Sequence, residues 1–193
     1  MKPGKIFVIS SPSGCGKTTI VKKVIKKIGN IYDLHVVVTY TTRPPRTNEI
    51  SGRDYHFLSP EDFENKKNTG FFLETTQYNG EWYGSPASVL EQTKQGKSFI
   101  FVIEQKGAQS LIKKLKVPVL IWILPPNLEA LEQRLRKRGT ETEKHLTRRL
   151  DIARQEIEFE EKNKIFNHWI VNDNLDQAVQ EVRVILETEL QKI

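Results

Sequence analysis

Ile6-Phe7-Val8-Ile9-Ser10-Ser11-Pro12-Ser13-Gly14-Cys15-Gly16-Lys17-Thr18-Thr19 is the stretch that settles the fold class. Its first five residues, Ile6–Ser10, form a short apolar, β-branched run that reads as a buried strand. Ser11 to Gly16 is a turn-rich loop of small residues. From Thr18 the period becomes helical: Ile20, Val21, Val24, Ile25 and Ile28 share one face, with Lys22, Lys23, Lys26 and Lys27 on the other. Gly29-Asn30 supplies a stop. Strand, small-residue loop ending Gly16-Lys17-Thr18, then helix is the context a phosphate-binding P-loop requires. Glycines let backbone N–H groups converge on phosphate oxygens, and the helix N-terminus adds positive potential. In such a loop Lys17 reaches the β- and γ-phosphates and the Thr18 hydroxyl ligates Mg²⁺.

Two details of the loop are open at this level. Ser11 stands where the first glycine is usual, and it is still a small residue. Cys15 lies near a helix N-terminus, which can lower a thiol pKa. A redox-sensing thiol is therefore weighed against a small filler residue.

Working outward, Val36–Tyr40, Ser98–Ile103, Val117–Leu124 and Trp169–Val171 are further strand candidates, each nearly all apolar, as strands covered on both faces are. Helical patterns at Ala87–Gln95, Ala108–Leu115, Leu128–Arg138, Glu143–Lys162 and Leu175–Leu190 separate them. This alternation predicts an α/β fold: a three-layer P-loop core around a parallel five-stranded sheet. Residues 41–85 interrupt it with Arg43-Pro44-Pro45-Arg46, a helix candidate at Pro60–Lys67 and aromatic-rich strand candidates at Phe71–Tyr78 and Glu81–Tyr83. A small mixed insertion on the core is expected there. No repeat, low-complexity tract or long linker is visible.

Composition narrows the class. The chain has 193 residues, 30 Lys+Arg against 24 Asp+Glu, and a formal charge of +6. Its apolar runs are far shorter than the ~20 residues of a spanning helix. The N-terminal apolar run is too brief for a signal-peptide core. One cysteine permits no internal disulfide, in keeping with a reducing compartment. A soluble, cytoplasmic protein without a membrane partner is expected. The basic excess raises nucleic-acid binding as an alternative, yet the charge is concentrated. Residues 1–32 hold seven basic and no acidic residues, 134–149 seven and two, and 150–193 five and ten. Two cationic islands suit polyphosphate better than one nucleic-acid surface, and no nucleic-acid recognition motif is present.

Further along, ordered motifs accumulate: Thr41-Thr42-Arg43-Pro44-Pro45-Arg46, Gly52-Arg53-Asp54-Tyr55-His56-Phe57, Phe72-Leu73-Glu74, Tyr83-Gly84-Ser85, Pro125-Pro126, Arg138-Gly139-Thr140-Glu141-Thr142-Glu143 and Ile170-Val171-Asn172-Asp173. On these residues the chain resembles the guanylate kinases over nearly all its length. The resemblance implies a core of 1–38 plus 86–193, a nucleoside-monophosphate-binding insertion at 39–85, and a mobile helical lid at about 127–160. It implies transfer of the γ-phosphoryl of Mg-ATP to GMP, giving ADP and GDP, in purine nucleotide metabolism.

By the same resemblance, Ser11, Pro12, Ser13, Gly14, Cys15, Gly16, Lys17, Thr18, Thr19, Arg138 and Asn172 bind ATP. Thr39, Arg43, Arg46, Tyr55, Glu74, Tyr83 and Ser85 bind GMP. Arg43 and Arg46 suit forked hydrogen bonding to its phosphate, with Tyr55 and Tyr83 donating hydroxyls to the same group. Glu74 accepts from guanine N1–H and the 2-amino group, where adenine offers neither donor. Lys17, Arg43, Arg134, Arg138 and Arg149 neutralise charge on the transferring group. Because the acceptor is already a phosphate anion, no histidine is assigned a catalytic role.

The pattern departs at Val102-Ile103-Glu104, where the family shows an acid, an apolar residue, then aspartate. Glu104 is expected to orient Mg²⁺-bound water beside Thr18. A scaffold-type binding module of the same fold is the competing reading from another class; the intact Gly16-Lys17-Thr18 argues for the enzyme. Oligomeric state is left open.

Overall fold

The structure is a computed structural model and describes residues 2–116, 118–137 and 143–192. The apolar run Ile6–Ser10 forms strand β1, and the helical period after it forms α1, Lys17–Ile28. Around β1 lie β2 (Leu34–Val36), β7 (Ser98–Val102), β8 (Val119–Leu124) and β9 (His168–Val171). They form a five-stranded sheet in the order β2-β7-β1-β8-β9, parallel at every pairing.

Both faces of this sheet are covered, which is why its strands lack a polar side. Phe7 and Ile9 of β1 face a core shared with α1, α5 (Leu128–Lys137), α6 (Glu143–Asn163) and α7 (Leu175–Leu190). Val8, between them, faces the opposite layer, where α3 (Ser88–Lys94) and α4 (Gln105–Ile112) pack with Phe101, Leu120 and Trp122. The three-layer α/β expectation holds.

A second sheet, order β4-β3-β6-β5, is built from β3 (Tyr40–Thr41), β4 (His56–Phe57), β5 (Phe72–Tyr78) and β6 (Glu81–Pro86), with α2 (Pro60–Asn68) against it. Ser59 caps α2 by accepting from Asp62 N–H at 3.1 Å, and Pro60 occupies the first turn. β5 and β6 form a hairpin whose tip residues Asn79 and Gly80 have φ of 52° and 88°. That is the signature of a tight turn matched to strand twist.

One sequence expectation is corrected here. Val36–Tyr40 reads as a single strand, yet the chain leaves the parallel sheet after Val37, whose N–H still reaches Ile100 O at 2.9 Å. It enters the second sheet at Tyr40. Apolar composition is continuous although burial is not: Val37 and Thr39 are buried while Val36 is exposed. The expected start of the α4 helix also moves, to Gln105; β8 runs from Val119, and Val117, where that strand was expected to start, lies outside the described residues. No helix among the described residues is long and apolar enough to cross a membrane.

Candidate functional site

The C-terminal ends of neighbouring parallel strands converge on one crevice, as open α/β sheets arrange it. The loop Ser11–Gly16 follows β1, Glu104 follows β7, and Asn172 follows β9. Gly14 and Gly16 adopt φ of 102° and 93°, a region that disfavours side chains. A Cβ on Gly16 would also meet Asn172 Nδ2 at 2.7 Å. Asn172, expected to bind ATP, is buried and donates through Nδ2 to Cys15 O at 2.8 Å, so it braces the loop from behind.

Lys17 bends back over this loop. Its Nζ donates to Ser11 O at 2.9 Å and Ser11 Oγ at 3.1 Å, and it pairs with Glu104 at 3.2 Å. Serine in place of the usual glycine thus supplies an extra anchor for the lysine. Cys15 is fully buried, and burial pushes its thiol up to about 12 despite Lys17 and Arg134 nearby. Of the two readings, burial favours the small filler residue: desolvation outweighs the nearby cations.

A single cavity joins the loop to the second sheet. Ser13, Lys17, Thr18 and Glu104 line it on one side, and Thr39, Arg43, Arg46, Tyr55, Glu74 and Tyr83 on the other, with Arg149 also at its wall. Glu74 is 3% exposed. A register shift in β5 between Phe72 and Glu74 makes consecutive Leu73 and Glu74 both inward-facing, as a β-bulge does. Glu74 Oε1 accepts from Ser85 Oγ at 2.8 Å, while Oε2 has no partner. Burial pushes this carboxyl up to about 7 against the hydrogen bonds from Ser85. Gly107 of α4 faces it: a Cβ there would stand 3.4 Å from Glu74 Oε2.

Arg43 is stacked over Tyr55 at 5.3 Å and Phe57 at 5.8 Å from the ring centroids. Its NH2 donates to both oxygens of Glu49, at 3.0 and 2.9 Å, and Glu49 also accepts from Arg46 N–H at 2.8 Å. Tyr55 and Tyr83 meet edge to face with ring centroids 6.2 Å apart. Burial, reinforced by the charge of Glu104, pushes the Tyr55 hydroxyl up to about 12, so it remains a donor.

Arg134 is placed differently from Arg149. Its NH2 donates to Asn172 O at 2.8 Å, and it lines a shallower hollow with Gly16, Thr19, Lys137 and Asp173 on the other side of the loop. Arg138 lies outside the described residues.

Several residues in or beside the cavity escaped the sequence reading. Thr76 and Tyr78 share the Glu74 face of β5, a period-2 relation that was available once Glu74 had been picked out. Glu49 had no sequence signal beyond a charge near a turn. Glu156 of α6 is buried, has an unpartnered Oε2, and is pushed up to about 8 by burial together with the charge of Glu104.

For a divalent cation, Thr18 and Glu104 offer hard oxygen donors at the cavity wall. No group of three or more His, Cys, Asp or Glu suited to a metal occurs among the described residues. Such a donor set fits Mg²⁺, which keeps several waters and leans on substrate phosphates.

Comparison with known proteins agrees with this geometry. A family model described as Guanylate kinase matches residues 3–189. A guanylate kinase of Nitrosospira multiformis is 37% identical over 188 residues, covering 97% of this chain and 87% of its own. One of Clostridium tetani is 39% identical over 190 residues, with 98% and 88% covered. The crystal structure of guanylate kinase from Anaplasma phagocytophilum superposes with a TM-score of 0.79 at 29% identity, covering 98% of this chain and 87% of that one. With a P-loop facing an arginine- and tyrosine-lined second sheet, and relatives alike over 87–88% of their length, the chain belongs to the guanylate kinase family, a family of ATP:GMP phosphotransferases.

Proposed function

We propose that the protein transfers the γ-phosphoryl group of Mg-ATP to GMP, and to dGMP, giving ADP and GDP in cytoplasmic purine nucleotide metabolism. The observation that carries this reading is Glu74: a buried carboxylate with one oxygen held by Ser85 and one unpartnered, aimed into the cavity opposite the phosphate loop. Guanine presents two adjacent N–H donors to such a group. Adenine presents neither, and leaving the carboxylate desolvated and unpaired discriminates strongly.

Each side chain then has a task. Residues Ser11 to Thr19 cradle the ATP phosphates, Lys17 on the β- and γ-phosphates. Arg43, Arg46, Tyr55 and Tyr83 seat the GMP phosphate, with Thr39 and Ser85 on the guanine side. Asn172 acts on ATP by holding the loop in shape. Thr18 and Glu104 would hold Mg²⁺, Glu104 through water, and the bound ion would supply charge neutralisation to the phosphates. Arg134, Arg138 and Arg149, carried on a lid of about 127–160, complete the positive surround. The second sheet, residues 39–85, serves as the acceptor-binding unit against the core. Phosphoryl transfer needs mainly positioning and charge stabilisation, and nothing in the cavity is required as a general base.

Incubation with Mg-ATP and GMP, followed by chromatography of the products, tests the reaction. ADP and GDP in equal amounts are expected; ADP without GDP means hydrolysis and contradicts it. An Arg138→Ala enzyme with wild-type kcat contradicts that residue's role.

A further inference from the structure

Tyr78 ends strand β5 opposite Glu81, at the tip of the second sheet's hairpin. Its ring lines the same cavity as Ser13, Gly14 and Lys17 of the phosphate loop, so the hairpin delivers a tyrosine from the acceptor side to the donor side. The hairpin is held firmly there. Thr42 Oγ1 donates to Glu81 at 2.6 Å and accepts from Trp82 N–H at 3.0 Å, tying the β6 arm to the neighbouring strand.

The hydroxyl of Tyr78 is sealed from solvent yet has no hydrogen-bond partner. Ser13 approaches it without reaching hydrogen-bond geometry, and its charged neighbours are Glu104, Glu156 and Arg149. Both oxygens of Glu104 face the Lys17 ammonium. Burial, with those carboxylates adding, holds the phenol far above its ordinary value, so it is a permanent O–H donor. A phenylalanine would fill the ring space at no polar cost. A buried donor left without an acceptor is unfavourable, and an acceptor brought in with a ligand relieves that. Phosphate oxygens are the acceptors that the surrounding loop is built to receive.

Resting on the guanylate kinase reading, we propose that the Tyr78 hydroxyl is a catalytic group that donates a hydrogen bond to the phosphoryl group in transit between Ser13's loop and the Arg43–Tyr83 side. It forms and breaks no covalent bond and transfers no proton. It marks the point where the donor and acceptor phosphates meet, and it makes the acceptor sheet a participant in holding the donor.

Tyr78→Phe removes one oxygen. A hydrogen bond to a charged group sets the expected fall in kcat at roughly 10- to 100-fold. GMP alone should bind the variant as it binds the wild type. A bisubstrate analogue, with a polyphosphate joining adenosine to guanosine, should bind more weakly by a similar factor. The empty variant should melt no lower than the wild type, because the lost hydroxyl had no partner. Unchanged kcat and analogue affinity overturn the proposal. So does a lower melting temperature of the empty variant, which would show that the hydroxyl serves Glu156 or another protein group. Failure of the underlying reading is distinct: it appears as a wild type that makes no GDP, whereas failure of this proposal appears only in the difference between wild type and variant.

Discussion

Glu49 grips Arg43 and Arg46 together: one carboxylate receives the Arg43 guanidinium at 3.0 and 2.9 Å and the Arg46 backbone N–H at 2.8 Å. Arg43 also donates to Pro44 O at 2.7 Å, so the Arg43-Pro44-Pro45-Arg46 turn is closed on itself. The side chains of this ion pair are 13% and 18% exposed, which places it well below the surface regime where such pairs contribute little.

On the proposed function, Glu49 would position Arg43 for the acceptor phosphate. Glu49→Gln keeps the size and loses the charge, which loosens the Arg43 fork. The expected outcome is a KM for GMP raised about 5- to 20-fold, the scale of one charge-assisted hydrogen bond, with kcat and the KM for ATP near wild type. Steady-state kinetics with each substrate varied in turn checks this. A lowered KM for GMP would mean that Glu49 competes with the phosphate instead.

Glu74 predicts a pH dependence with a definite sign. Its carboxyl is pushed from 4.5 up to about 7 by burial. Guanine needs the ionised form, so the KM for GMP should fall as pH rises from 6 to 8 and level off above about 7. Stability of the empty protein runs the other way. Between the two values the folded chain keeps a proton that the unfolded chain releases, so stability is lost as pH rises through this range, by up to roughly 3 kcal/mol. Glu74→Gln should flatten the kinetic profile and remove Glu74's share of the stability loss, leaving that of Glu156, whose carboxyl is also raised by burial; kinetics and thermal unfolding at pH 5 and pH 8 measure the two.

Gly16 is sterically and conformationally constrained at once. With φ at 93° and Asn172 Nδ2 at 2.7 Å from a built Cβ, Gly16→Ala must strain the loop or expel Asn172. A loss of about 1–3 kcal/mol of stability is expected, with a weakened KM for ATP and an unchanged affinity for GMP alone. Calorimetry with each nucleotide distinguishes this from general unfolding.

Glu104 faces the Lys17 ammonium in this structure, with Thr18 on the same cavity wall. If it steers Mg²⁺-bound water once nucleotide enters, Glu104→Gln should raise the Mg²⁺ concentration for half-maximal activity several-fold, about 1 kcal/mol in binding. A Mg²⁺ titration that overlays the wild-type curve contradicts the assignment.

What was legible in the sequence follows a physical divide. The loop from Ser11 to Thr18 and its flanking strand and helix were readable because their chemistry is local: small residues, one lysine, then an apolar period of 3.6. Four of the five parallel strands were readable because sheets covered on both faces leave apolar runs. Legibility failed where two contexts share one composition, as at Val36–Tyr40, which feeds two sheets. It failed again where burial decides chemistry. The Cys15 thiol is raised by desolvation that no neighbouring residue in the sequence announces, and a bulge turns Glu74 inward beside Leu73. The family resemblance supplied the role of Glu74, while the residues in sequence supplied only a strand carboxylate. Part of the first cationic island also resolves: Lys17 belongs to the cavity, and Lys22, on the outer face of α1, pairs with Asp54 of the second sheet's loop at 2.6 Å.

The most direct test compares acceptors. ADP formation from Mg-ATP is measured with GMP, AMP, CMP and UMP side by side, for the wild type and for Glu74→Gln. A buried hydrogen-bonding site rejects an analogue lacking its donors by about 10⁴–10⁵, so wild-type kcat/KM for GMP should exceed that for AMP by orders of magnitude, and the variant should lose most of that margin. Equal rates with AMP and GMP in the wild type would contradict the account.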